Sequence, residues 1–139
     1  MTDVILSIES RQAYPGQEPE RMKLVSEGKL NFRDGGWDVS YEESALTGLE
    51  GVTTTFRVEP GRITLSRKGQ LNSEMVFTEG KPHDSLYEMP FGALMLTVTA
   101  QRVMFDLTGD GGYIDLVYSI SIENDDAGTV DYHLDIRRK

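Results

Sequence analysis

The chain has 139 residues, no cysteine, and 23 acidic against 14 basic side chains, for a formal net charge of −9. That balance repels phosphate backbones and argues against nucleic acid as a partner; the lack of cysteine excludes disulfides, thiolate nucleophiles and zinc knuckles and fits a cytoplasmic setting. The length suits one domain over 1–139 whose core needs no covalent staple, with no leader at the start and no apolar run near the ~20 residues of a membrane span.

Apolar and polar residues alternate along nearly the whole chain, and turn signals interrupt them about every ten residues, the pattern of antiparallel β-structure. No window carries a helical period. Strands are predicted over 3–12, 22–33, 36–46, 51–59, 62–67, 71–79, 83–88, 93–107, 112–124 and 129–138. Asp34-Gly35 and Pro60-Gly61 suit two-residue hairpins, and Gly69 suits the left-handed position of a bulged loop. Met89-Pro90-Phe91-Gly92 reads as a type I turn, and Asp110-Gly111-Gly112 closes a further hairpin. Within 93–107 the apolar phase changes between Val98 and Val103, which calls for a bulge near Ala100 to Arg102. Ten hairpin-linked strands with one apolar face protect their edges best by closing. The expected fold is therefore all-β, a single antiparallel meander closing into a barrel of eight to ten strands.

The turns set register, and register sets which side chains share the interior. Asp34-Gly35 places Gly28 opposite Tyr41 and Ser26 opposite Glu43; a four-residue loop at Thr47 to Glu50 places Glu43 opposite Thr54; Pro60-Gly61 places Thr54 opposite Arg67. The expected inward rows are Leu30/Val39/Val58/Ile63, Gly28/Tyr41/Phe56/Leu65 and Ser26/Glu43/Thr54/Arg67, with Leu24/Ala45/Val52 beyond. A polar row between apolar rows has to be solvated, paired or useful. Three readings are open: Arg67 is solvated in the Gly69 loop with Glu43 near the rim; Glu43 and Arg67 form a buried pair; or they line a cavity and hold the polar end of a ligand. Trp37, Tyr41, Phe56, Tyr118 and Tyr132 fall on apolar phases and serve as core or, around a cavity, as its walls.

Other constellations carry little chemistry. Asp106, Thr108 and Asp110 imitate the start of a calcium loop, but Val117 stands where a bidentate Glu is needed and strands flank the loop. His83, Asp84 and Ser85 are consecutive strand residues that point to alternate faces, so they form no triad. Glu42 and Glu43 face apart, which denies them paired acid–base work. No cofactor, metal site or catalytic residue is expected.

Tyr41-Glu42-Glu43, Arg67 with Gly69, Tyr87-Glu88-Met89-Pro90-Phe91-Gly92 and the alternating strand Ile114 to Tyr118 together resemble the bacterial DUF1934 (YwiB-like) family, over residues 3 to 136. The resemblance implies a lipocalin-like or calycin-like barrel and supplies no reaction. The expectation is a cytoplasmic barrel that binds a small amphipathic or anionic ligand, the candidate ligand-binding residues being Ser26, Trp37, Tyr41, Glu43, Thr54, Phe56, Arg67 and Tyr118. The alternative is a non-catalytic interaction or regulatory module, monomeric or a homodimer. An enzyme is the third class, with Glu43 its one nameable group.

Overall fold

The computed structural model describes all 139 residues. Its strands are β1 (Thr2–Ala13), β2 (Glu20–Arg33), β3 (Gly36–Glu42), β4 (Thr53–Glu59), β5 (Arg62–Lys68), β6 (Ser73–Phe77), β7 (Pro82–Met89), β8 (Gly92–Thr108), β9 (Gly111–Ile122) and β10 (Asp125–Arg138). The one helical feature is a three-residue 3-10 turn, Ala45–Thr47. No helix is long and apolar enough to cross a membrane.

Every pairing is antiparallel, and the sheet order β6-β5-β4-β3-β2-β1-β10-β9-β8-β7 is that of a meander whose last strand returns to its first. The two ends of this sheet, β6 and β7, meet along a seam. Asn72 and Glu88 exchange backbone hydrogen bonds of 2.9 and 2.8 Å at one end, and Lys81 donates to the Thr78 carbonyl at 3.0 Å at the other. The two bridges differ in register by one residue, so no continuous ladder zips the seam. Between them the Ser85 hydroxyl donates to the Glu74 carbonyl. The barrel is thus nearly closed.

Local chemistry accounts for the turns. Asp34 and Gly35 take φ of 49° and 75°, the left-handed pair of a type I′ hairpin. Glu123 and Asn124 do the same at 50° and 71° without a glycine, which is why composition did not mark that turn. β8 carries its bulge between Ala100 and Arg102, where the register against β9 shifts and the inward phase changes.

Strand length divides the barrel wall. β1, β2, β8, β9 and β10 run for 12 to 17 residues, whereas β3 to β6 run for 5 to 7. β2 pairs with β1 from Glu20 to Leu30 but with β3 only from Lys29 to Arg33. The walls part at Gly28, where a Cβ would lie 2.6 Å from the Ser40 carbonyl oxygen and 2.7 Å from Leu6 Cδ1. Above that point a tall wall stands over a low one. The inward apolar residues below it fill the barrel, with Phe56 against Tyr132 at 5.6 Å between ring centroids and Phe77 against Tyr118 at 4.6 Å.

One expected register is corrected. Tyr41 rather than Glu43 stands opposite Thr54, so the β3–β4 connection is two residues out of the expected frame. The expected four-residue loop is replaced by a longer one: Ser44 accepts from the Leu46 amide to cap the 3-10 turn, Gly48 ends it at φ 75°, and Glu43 N–H reaches the Val52 carbonyl at 2.8 Å. A shift of two preserves the inward face but moves the rows. The observed rows are Val39/Phe56/Leu65/Met75 and Tyr41/Thr54/Arg67/Ser73.

Candidate functional site

The polar row is built where the low wall ends. Tyr41 on β3, Thr54 on β4, Arg67 on β5 and Ser73 on β6 are successive cross-strand neighbours on the inner face. Val52 and Leu71, both buried, lie beyond it, so the row is not a solvated rim. Arg67 belongs to β5 rather than to the Gly69 loop.

Glu43 sits just past β3 with 7% of its surface exposed. Its Oε2 accepts a 2.6 Å hydrogen bond from the Thr54 hydroxyl and its Oε1 a 3.0 Å bond from the Thr47 hydroxyl. Two hydroxyl donors occupy one acceptor site on each carboxylate oxygen without a cation. Of the three readings, the buried Glu43–Arg67 pair is not formed: none of the eleven ion pairs of the molecule includes Arg67. The loop that re-registers β4 carries Glu43 onto Thr54 and Thr47 instead.

Ser26 leaves the row as well. Because β3 departs from β2 at Gly28, Ser26 faces Leu6 on β1 and donates to the neighbouring Glu27 carbonyl at 3.0 Å. Leu24 likewise faces Ile8 on β1, not Ala45. Trp37 lies four residues down β3 from Tyr41, about 13 Å along the strand, stacked on Phe32 at 4.9 Å. Phe56 lies one row below Thr54 and is fully packed.

Above the row is a cavity of about 460 Å³, a size that suits one small ligand. The tall wall contributes Leu96, Ile120, Val130, Tyr118 and Tyr132, and the low wall contributes Met75 and Arg67. Arg67 is the one charged residue among its fifteen lining residues. Its Nε is buried without a hydrogen-bond partner.

Three phenols surround this cation and stay neutral. Burial pushes the Tyr118 hydroxyl up to about 12, with the Arg67 charge pulling the other way. Burial and then the Glu43 charge push Tyr41 up to about 12. Burial, followed by the neighbouring Tyr41, drives Tyr132 well above the usual phenol range. None of them offers Arg67 a counter-charge at neutral pH.

The structure therefore brings Tyr41, Glu43, Thr54 and Arg67 together, adds Tyr118 from the opposite wall, and leaves Ser26 and Trp37 elsewhere. Tyr132, expected as core or cavity wall, lines the cavity, whereas sequence reasoning missed Ser73 and the tall-wall residues Leu96 and Ile120. Ser73 stood in a predicted strand, and the Gly69 signal marked the turn without fixing the length of its loop, so the register that puts Ser73 opposite Arg67 stayed open.

The family model described as Domain of unknown function (DUF1934) matches residues 6–136. No curated protein matches the sequence significantly. Among solved structures, the fold is similar to that of the ywiB protein from Bacillus subtilis, with a TM-score of 0.83 and 22% identity over 96% of this chain and 91% of that one. At that identity the likeness is one of fold.

Proposed function

The chain belongs to the DUF1934 family, and we propose that it is a non-catalytic binding protein that takes one small amphipathic or anionic molecule into the end of its barrel. The observation that carries this reading is Arg67, a cation without ion pair or hydrogen bond in an otherwise uncharged, largely apolar cavity of about 460 Å³. Arg67 is half-buried with its Nε enclosed and unpartnered, and a bound anion would give that N–H the acceptor it lacks. The apolar wall takes the body of the ligand and Arg67 its polar end, while Glu43, held by Thr54 and Thr47, shapes the low wall from behind. The calycin-like architecture supports the reading by analogy of fold, and the cysteine-free composition supports a cytoplasmic setting.

Titration with 8-anilinonaphthalene-1-sulfonate, an amphipathic anion, tests it. The expected result is saturable enhancement of fluorescence at one probe per chain, weakened by Ile120→Trp, which adds bulk to the cavity wall. Unsaturable enhancement, or binding indifferent to Ile120→Trp, contradicts the reading.

A second reading, an interaction module that pairs with another copy, draws on the part of β2 beyond β3 and on the exposed Leu46 and Phe91, 84% and 86% accessible at loop tips. Its mass in solution by size exclusion with light scattering decides: a dimer supports it and a monomer removes the homodimer.

A further inference from the structure

Two buried side-chain polar atoms have no hydrogen-bond partner in the entire molecule, Arg67 Nε and Ser73 Oγ. They belong to directly opposed residues on β5 and β6. Native interiors satisfy nearly all such groups, so two orphans on one register pair require a reason. Arg67 lines both the end cavity and the shallow cleft along the β6–β7 seam, and Ser73 lines that cleft. The orphaned pair thus marks the junction between the apolar cavity and the unzipped seam.

We infer that Arg67 and Ser73 form the seat of a carboxylate, so that the ligand class is a monocarboxylic acid with an apolar body. This rests on the reading of the cavity as a small-molecule site. Both residues offer donors, an N–H fork and a hydroxyl, and a carboxylate is an acceptor-only group that takes several such bonds at once. In the cavity one cation balances one negative charge, and in the cleft Lys68 is outnumbered by Glu74, Asp84 and Glu88, which disfavour a second. A phosphate monoester carries close to two at neutral pH, and the second would be left unpaired among neutral phenols and aliphatic side chains. An alcohol or amide head leaves the guanidinium without a counter-charge. The apolar body then lies against Met75, Tyr118, Leu96 and Ile120.

Calorimetric titration at pH 7.5 with decanoate, 1-decanol and decyl phosphate separates these heads on one tail. The wild-type chain is expected to bind decanoate at least tenfold more tightly than 1-decanol, and more tightly than decyl phosphate. Arg67→Leu is expected to bring decanoate down to the level of 1-decanol. Ser73→Ala is expected to weaken decanoate about tenfold, to leave 1-decanol unchanged, and to leave the melting temperature unchanged or raised, because the deleted hydroxyl has no partner to lose. Equal affinity of the wild type for decanoate and 1-decanol overturns the carboxylate seat while leaving the cavity reading intact. Tighter binding of decyl phosphate also overturns it. Failure of all three probes to bind overturns both. The comparison of heads uses the unaltered chain, so it stands even where a variant folds poorly.

Discussion

Thr54 donates a 2.6 Å hydrogen bond to Glu43 Oε2, and this bond, with Thr47 on the other oxygen, holds the carboxylate in place of an ion pair with Arg67. The arrangement leaves Arg67, on the same low wall, without an ion-pair partner. Thr54→Val keeps the shape of the side chain and deletes the donor. It is expected to cost about 1.5–3 kcal/mol in denaturant unfolding, the range for a lost hydrogen bond to a charged group. A cost near zero would show that Glu43 does not depend on Thr54.

The buried phenols impose an alkaline limit on stability. Tyr41 and Tyr118 ionise in the folded chain at about 12, above the usual phenol value of 10.0, with burial the larger cause in both. Because the folded values are raised, the contribution is fully present below pH 10 and is lost as pH rises from about 10 towards about 12. Unfolding midpoints in denaturant are therefore expected to fall across that window, and the ultraviolet absorbance titration of the native chain is expected to show a late phenolate fraction that titrates near 10 in denaturant. Titration of all tyrosines near 10 in the native chain contradicts the packing described.

Gly28 marks the fork between the walls. A methyl group there meets backbone at Ser40 and the Leu6 side chain at 2.6 and 2.7 Å, so Gly28→Ala forces the two strands apart. A loss of about 1–3 kcal/mol is expected, measured by thermal melting. A melting temperature equal to that of the wild type would mean that the fork is not closed at this point.

Core and cavity residues separate by substitution. Phe56 packs on Tyr132 and is 1% exposed, so Phe56→Ala is expected to cost about 3–5 kcal/mol. Trp37 stacks on Phe32 away from the cavity, so Trp37→Leu is expected to leave the affinity for 8-anilinonaphthalene-1-sulfonate unchanged. A change in affinity with Trp37→Leu would place the binding site at the other end of the barrel.

The strands and most turns were legible because period-2 alternation and positive-φ residues are local signals; the bulge at Ala100 to Arg102 was legible because a change of phase has one structural solution. The β3–β4 register was not, because Ser44 and Gly48 nucleate a 3-10 turn that lengthens the loop. That slip is an even number of residues, so Glu43 and Thr54 kept their inward face while changing rows. Arg67 faces inward as the Pro60-Gly61 turn requires. Its lack of a partner depends on strands far apart in sequence, as does the meeting of Leu96 and Ile120 at the cavity wall, and no local pattern encodes them.

A ligand site at the end of the barrel implies a molecule carried there by the native protein. Native mass spectrometry of the wild-type and Ile120→Trp chains, purified from the protein's own host, tests it most directly. One small molecule bound per wild-type chain is expected, with reduced occupancy in the Ile120→Trp chain. The same bare mass for both would contradict it.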